Sequence, residues 1–483
     1  MADDLKNKTI KGVSWSFVEQ ILTRGANFVI GVILARLLTP TDYGLIGMIS
    51  VFIAVSQIFI DGGLSSALIR TKDPSEKDYS TVFIINLALS ILFYFILFFS
   101  AKPIADFYNQ PVLKPFLRVI SLTLVISSLG SVQNTLLTIR VDFKTKSYIS
   151  IITAIISGII GIICAYRGMG AWALAAQSLS ATIICTLLLI VLVRWIPKSG
   201  FSKESFKQLF SYSSKLLASN LIRVLYDNAY SIVIGKKFSA ASLGKYTRAG
   251  QFPTVANATV TSALNRVAFP ILSQIQDDDE RLIHVYEKYI QLTCFIIFPI
   301  LLWMCGCAKP FILLLLTEKW IDCIPLMQIL CFSLLLNSVT SINLDLLYVK
   351  GRSDLALRLE IIKKIIAITI LFVSMFFGLK AMCLGQVIYS FIDFGLNTIY
   401  TKKILNYGLW PQLRSMAPYF LCAGAILAEG LLFSQFISAS WLSLLISLIV
   451  CPTTYWLLVR ISNLYAYQEA KELFAQKILK RNH

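Results

Sequence analysis

Residues 80–100 read STVFIINLALSILFYFILFFS, a run of 21 residues that contains no charged side chain. A helix that crosses a bilayer needs about 20 consecutive, mostly apolar residues. Lipid offers no water to exposed backbone groups, so a run of this kind spans a membrane as a helix, in which every peptide group is paired internally. This stretch therefore predicts a transmembrane helix.

The rest of the chain has the same character. Hydrophobic residues make up 57% of the 483 positions and charged residues 14%, and the mean hydropathy is +0.72. A soluble protein has about 25% charged residues, and a single soluble core stops growing beyond roughly 250–300 residues. The composition excludes a water-soluble fold and predicts an all-α, polytopic integral membrane protein.

Apolar windows of spanning length recur about fourteen times. They lie at 12–34, 43–61, 80–100, 116–139, 148–166, 171–193, 208–234, 250–274, 289–316, 325–348, 359–378, 382–401, 417–434 and 439–460. An even number places both termini on one side, and the loops of that side carry roughly twice as many Lys and Arg residues as the opposite loops. The positive-inside rule then predicts that both termini are cytoplasmic. It also accounts for the net charge of +18 without a nucleic acid as partner.

The sequence contains a weak internal repeat with an offset of 200 residues. Residues 33–45 read ILARLLTPTDYGL and residues 233–245 read VIGKKFSAASLGK, so that Gly44 corresponds to Gly244. Duplicated halves with a substrate site between them are a recurrent plan of transporters. We expect two six-helix lobes, residues 1–195 and 205–402, followed by two appended helices within 403–461 and a basic cytoplasmic tail, 462–483.

The segment between the lobes, 196–215, is basic and interspersed with phenylalanines. This pattern is typical of a helix that lies in the membrane interface. Ser202 is a suitable residue to cap the start of that helix. We interpret the segment as a cytoplasmic amphipathic linker.

Polar residues inside the predicted spans align on single helix faces. An ionisable side chain in hydrocarbon costs at least about 2.5–3.5 kcal/mol, so it is expected to face the bundle interior or a wet cavity. Three arginines of this kind predict a positive cavity that suits a phosphate or diphosphate: they are Arg24, Arg223 and Arg266. Amides on the same faces suit hydroxyl-rich sugars: Gln20, Asn27, Gln57, Asn220, Asn257 and Asn265.

A structural interpretation of these stripes stays open. Polar side chains also join transmembrane helices to one another, and Arg223 and Asp227 have the i, i+4 spacing of a neutralising pair. Five acidic residues are candidates for coupling transport to a proton or sodium gradient, and the sequence does not choose among them: Glu19, Asp61, Asp227, Glu360 and Asp393.

The sequence offers no visible site for catalysis, a metal or a cofactor. Its two histidines are His284 and His483, and its ten cysteines stand mostly alone in apolar runs, as small buried hydrophobic residues do. A membrane enzyme, such as a polysaccharide polymerase or ligase, needs a substantial external loop with catalytic groups. The longest such loop, 101–118, holds one acid, Asp106, so we expect no enzymatic activity.

Three stretches resemble the polysaccharide flippase family, nearest to its colanic-acid and teichuronic-acid exporter branch. They are ILARLLTPTDYGLIGMISVFIAVSQIFIDGGLSSALIR at 33–70, RVDFK at 140–144 and YSIVIGKKFSAASLGKYTRA at 230–249. The resemblance covers most of the first 400 residues. It implies a two-lobed fold shared with MATE-type multidrug exporters and the lipid II flippase.

The resemblance also implies a function. Members of this branch move an undecaprenyl-diphosphate-linked oligosaccharide across the bacterial cytoplasmic membrane by alternating access, beside glycosyltransferases and a polysaccharide polymerase. In related flippases, basic residues of the first and eighth helices serve the diphosphate, and Arg24 and Arg266 occupy comparable places. The alternative is a cation-coupled multidrug exporter on the same fold, which would favour an acidic cavity rather than a basic one.

Overall fold

The computed structural model describes residues 22–465, 467 and 468 of the chain. All regular secondary structure in this part is helical, as the composition predicts. The helices are α1 (22–37), α2 (Pro40–Asp61), α3 (Leu64–Arg70), α4 (Glu76–Tyr108), α5 (Leu113–Ile120), α6 (Leu122–Leu129), α7 (Ser131–Ile139), α8 (Phe143–Tyr166), α9 (Ala171–Val193), α10 (Lys203–Asp227), α11 (Ala229–Lys237), α12 (Ala240–Gln274), α13 (Asp279–Gly306), α14 (Ala308–Leu315), α15 (Cys323–Leu334), α16 (Asn337–Val349), α17 (Ser353–Ser374), α18 (Leu379–Leu405), α19 (Leu409–Phe436) and α20 (Ser440–Ile461).

Nine helical segments of the described residues are long and apolar enough to cross a membrane, and the bent pair Leu113–Leu129 and Ser131–Ile139 makes a tenth. The first, seventh, eighth and eleventh predicted spans are not among these ten. They correspond to α1, whose described part has 16 residues, and to α10 with α11, α12 and α17, which carry more charged residues. The count of fourteen spans stays a prediction.

The chain separates into two compact units that divide after Gly244. The division lies beyond the predicted linker because α10 packs against α2 and α3 of the first unit. Ser202 caps α10 as predicted, and its hydroxyl accepts a hydrogen bond from the Ser205 amide at 3.3 Å. The helix then continues without a break to Asp227, so the second part of the linker and most of the predicted seventh span form one 25-residue helix.

The start of α2 touches the start of α12 through backbone atoms. A Cβ atom at Gly44 would lie 1.7 Å from the Ala240 carbonyl oxygen, and one at Gly244 would lie 1.8 Å from the Pro40 carbonyl oxygen. Only glycine permits such an approach. The repeat offset of 200 residues relates Gly44 to Gly244 and Pro40 to Ala240. Gly44 contacts Ala240 and Gly244 contacts Pro40, so the two contacts are equivalent under the repeat.

A buried polar network holds four helices of the second unit together. Tyr286 of α13 donates its hydroxyl to Asn343 of α16, whose amide donates to Gln412 of α19 at 3.1 Å. The Gln412 amide in turn reaches the Tyr286 hydroxyl at 3.2 Å and Thr401 of α18 at 3.1 Å. All four side chains are fully buried. In lipid, hydrogen bonds of this kind join helices that hydrophobicity alone does not.

Candidate functional site

The first unit contains an open cavity of about 760 Å³. Four of its walls are α1, α2, α8 and α9, and Ile120 of α5 completes it. Its lining residues are Thr23, Asn27, Tyr43, Ile46, Ile49, Ser50, Ile53, Ala54, Gln57, Ile120, Ser150, Thr153, Ala154, Ser157, Leu174, Gln177, Ser178, Ala181 and Cys185. Isoleucine, leucine and alanine side chains form much of this lining, hydroxyls and amides are placed among them, and none of the described lining residues is charged.

The polar groups of the cavity come from several of its walls. Ser150, Thr153 and Ser157 follow the i, i+3, i+7 spacing of one helix face on α8, and Gln177 lies on α9. The Thr23 hydroxyl is buried and has no hydrogen-bond partner among the described residues. A buried hydroxyl left unsatisfied costs about 1–3 kcal/mol, so the cavity favours a ligand rich in hydrogen-bonding groups.

Two of the predicted sugar-binding amides, Asn27 and Gln57, line this cavity. Arg24 is exposed on α1, one turn before Asn27, and is not a lining residue. Glu19 and Gln20 lie outside the described residues. The roles assigned to these side chains stay predictions.

The predicted polar face of α10 is present in the structure. Arg223 donates to Asn220 at 3.4 Å, and its guanidinium lies 3.9 Å from the Asp227 carboxylate. The side chains of Arg223 and Asp227 are 65% and 53% exposed, and an exposed pair contributes about 0–1 kcal/mol. Asp61 ends α2, where its carboxylate accepts a hydrogen bond from Ser65 at 2.5 Å.

In the second unit, the predicted stripe of α12 faces α16. Asn257 is 4% exposed; its amide donates to Asn337 at 3.0 Å, and its carbonyl oxygen accepts from Ser338 at 3.0 Å. Asn265 donates to Ser341 at 2.8 Å. These bonds join two helices. Arg266, the next residue along α12, is exposed.

A charged triad connects α17 and α18. The Lys363 ammonium lies 2.7 Å from the Glu360 carboxylate and 2.8 Å from the Asp393 carboxylate. The Asn397 amide donates to Asp393 at 3.1 Å. Lys363 and Asp393 are buried. Two carboxylates share one ammonium, so the fully ionised triad has a net charge of −1, and binding of a proton or another cation neutralises it.

The two acids of the triad are among the residues predicted from the sequence, whereas Lys363 is not. The signal for Lys363 was its i, i+3 spacing from Glu360 on a predicted span. Ser150, Thr153 and Ser157 were not predicted either, although their spacing places them on one helix face. Among the described residues, no cluster of three His, Cys, Asp or Glu side chains is placed to hold a metal ion.

A helical membrane bundle with a polar cavity inside it is the architecture of a membrane transporter. A family model described as "Polysaccharide biosynthesis protein" matches residues 33–325, more than half of the chain. The chain therefore belongs to this family of polysaccharide biosynthesis proteins, and the resemblance noted in the sequence is confirmed.

Named relatives cover much of the chain. It is 26% identical over 457 residues to the lipopolysaccharide biosynthesis protein WzxC of Escherichia coli, covering 93% of this chain and 88% of the relative. It is 27% identical to the succinoglycan biosynthesis transport protein ExoT of Rhizobium meliloti, covering 69% and 68%. It is 25% identical to the teichuronic acid biosynthesis protein TuaB of Bacillus subtilis, covering 73% of each chain.

Solved structures share the fold. The lipid II flippase MurJ in an inward closed conformation superposes with a TM-score of 0.72 at 15% identity, covering 94% of this chain and 98% of that one. An inward-facing multidrug resistance MATE family transporter superposes with a TM-score of 0.62 at 14% identity, covering 80% and 94%. These likenesses confirm the predicted all-α, MATE-like fold class.

Proposed function

We propose that this protein flips a polyprenyl-diphosphate-linked oligosaccharide across the membrane by alternating access, for the biosynthesis of a surface polysaccharide. The observation that carries the proposal is the 760 Å³ cavity, whose described lining offers hydroxyls and amides inside a unit built from membrane-spanning helices. Sugar hydroxyls both donate and accept hydrogen bonds, as these groups do. Family membership and the relatives in polysaccharide biosynthesis support the same function.

In this proposal the sugar moiety contacts Asn27 and Gln57, which already line the cavity. Gln20, Asn220, Asn257 and Asn265 are proposed as further sugar contacts. For Asn257 and Asn265 this requires exchange of their bonds to α16. Arg24, Arg266 and Arg223 are proposed to serve the diphosphate, because guanidinium groups match phosphate oxygens in geometry and charge.

We further propose that the protein resides in the bacterial cytoplasmic membrane with both termini in the cytoplasm. The distribution of Lys and Arg between alternate loops supports this orientation. Glycosyltransferases would supply the substrate, and a polysaccharide polymerase would consume it. For coupling to a proton or sodium gradient, the triad of Glu360, Lys363 and Asp393 is the best supported group, since Lys363 and Asp393 are buried and the triad has unequal charges.

The alternative, a cation-coupled multidrug exporter, is supported only by the fold that the chain shares with MATE transporters. A cationic substrate favours carboxylates at its binding site. The described lining of the cavity contains no carboxylate, which favours the lipid-linked oligosaccharide.

Deletion of the gene tests the proposal. We expect the lipid-linked oligosaccharide to accumulate in the inner leaflet, the surface polysaccharide to disappear, and the wild-type gene to restore both. Drug sensitivity without a change in lipid-linked oligosaccharide would contradict the flippase function and favour the exporter.

Variants then test the assigned residues at matched protein levels. We expect Gln57→Leu and Arg24→Ala to lower polysaccharide output, because each removes a proposed substrate contact. The controls are Gln276→Leu, in the loop before α13, and Arg167→Ala, at the end of α8. Equal output from Gln57→Leu and its control would remove Gln57 from the site.

A further inference from the structure

A second polar cleft lies in the second unit, at the ends of three helices that pack against one another. Residues near the starts of α13 and α19 and just beyond the end of α20 line a cavity of about 620 Å³. By the predicted topology, all three ends face the cytoplasm. The cleft therefore lies where the headgroups of the inner leaflet meet the protein.

The residues that line the cleft include one side chain of each charge. Glu287 of α13 and Arg414 of α19 both line it, and within the described residues neither forms an ion pair. The site thus offers a carboxylate and a guanidinium to the same ligand. Gln291, Ser415 and Asn463 add neutral hydrogen-bonding groups.

The walls of the cleft are aromatic. Tyr407, Tyr419 and Tyr465 line it together with Trp410, which is 78% exposed. Tyr and Trp concentrate at membrane interfaces, where one end of the ring system is apolar and the other is wet. The Tyr465 ring already holds a cation, since the Lys288 ammonium lies 4.7 Å from its centroid. The walls suit an organic cation that carries an anionic group next to it.

Tyr407 supplies a stable donor. Burial, together with the nearby Glu287 carboxylate, raises the pKa of Tyr407 to about 12. Its hydroxyl therefore stays protonated at physiological pH. It donates a long hydrogen bond of 3.5 Å to Ser415, which it would exchange for a bond to a phosphate.

We infer that this cleft binds the headgroup of an ethanolamine phospholipid of the membrane. Arg414 takes the phosphate, since guanidinium and phosphate pair strongly, and Glu287 takes the primary ammonium, which has three hydrogen-bond donors. An anionic headgroup without the ammonium would pair with Arg414 but would give Glu287 no cationic partner. A choline headgroup carries the positive charge but has no N–H to donate to the carboxylate. The inference is independent of what the protein transports.

Lipid competition on the purified full-length protein tests this site. The protein is exchanged into a mild detergent with equal amounts of phosphatidylethanolamine, phosphatidylglycerol and phosphatidylcholine, and retained lipid is counted by native mass spectrometry. We expect the ethanolamine lipid to be retained about tenfold over each of the others, the ratio that one charge-assisted hydrogen bond supports. Equal retention, or preference for the anionic lipid, would overturn the inference.

Matched variants locate the binding. Glu287→Gln is expected to abolish the preference for ethanolamine, whereas Glu280→Gln, in the exposed first turn of α13, keeps it. Arg414→Gln is expected to lower retention of all three lipids, and Arg414→Lys to restore part of it. Equal selectivity of the two glutamate variants would place the lipid elsewhere.

Removal of residues 469–483 distinguishes the lipid from the chain's own C-terminal segment as the ligand of the cleft. If ethanolamine lipid binds only after removal of residues 469–483, the cleft accommodates that segment and the inference is wrong. If the truncated and full-length proteins retain the lipid equally, the inference stands.

Discussion

Replacing Lys363 by methionine removes the positive member of a buried charged triad. Its ammonium lies 2.8 Å from Asp393, and at an effective dielectric constant of about 20 that contact corresponds to an attraction of about 6 kcal/mol. Much of this offsets the desolvation of the two ions. After the substitution, Asp393 would keep the hydrogen bond from Asn397 at 3.1 Å but lose its counter-ion.

We expect Lys363→Met to lower the free energy of unfolding by about 3–5 kcal/mol, the usual cost of leaving one charge of a buried ion pair without its partner. The double variant Lys363→Met/Asp393→Leu removes both charges and should recover most of this loss, since apolar replacements of buried pairs are often neutral or stabilising. The control is Arg358→Met on the exposed face of the same helix, with little effect expected.

Reversible unfolding in mixed micelles, followed by tryptophan fluorescence, measures the difference. The double variant distinguishes two roles of the triad. If the double variant regains stability but not polysaccharide export, the triad serves transport. If the double variant regains both, the triad is structural. A stable Lys363→Met single variant, or a double variant no more stable than the single one, would refute the electrostatic reasoning itself.

Three further outcomes follow from contacts described above. Gly44→Ala should lower the free energy of unfolding by at least about 3 kcal/mol, because its new Cβ would overlap the Ala240 carbonyl and such overpacking is costly. Gly424→Ala is the control: no atom lies within 4 Å of its new Cβ, so the same unfolding assay should show no loss of stability. Asn257→Leu should cost about 1–2 kcal/mol through lost bonds to α16, and a double-mutant cycle with Ser338→Ala should show coupling between the two positions. Asp393→Asn should abolish the response of transport to an imposed proton or sodium gradient in liposomes; an unchanged response would exclude Asp393 from coupling.

Much of the fold could be predicted because hydrophobicity and helical spacing are local properties. The 21 uncharged residues at 80–100 lie within the 33-residue helix α4. The Ser202 cap needed only the preference of a hydroxyl for the start of a helix. The one-sided stripe of Asn220, Arg223 and Asp227 likewise follows from spacing alone.

What could not be predicted is what each face meets. Spacing correctly placed Asn257 and Asn265 on one side of α12, yet only the fold shows that this side faces α16. The role of Lys363 depends on its ion pair with Asp393, which lies thirty residues away on the next helix. The cavity likewise combines residues of α1, α2, α8 and α9, and no local pattern brings those four together.

The contact between Gly44 and Gly244 has one more consequence. Interlocked side chains must disengage before two helices can shift, and close-packed interiors resist that. Here bare backbone meets bare backbone at two equivalent points, 1.7 and 1.8 Å from where a Cβ would be. We therefore expect the starts of α2 and α12 to shift against each other more easily than two helices with interlocked side chains. Because the duplicated sequence supplies a glycine to both sides of the contact, a side chain added at either glycine would hinder that shift for both helices.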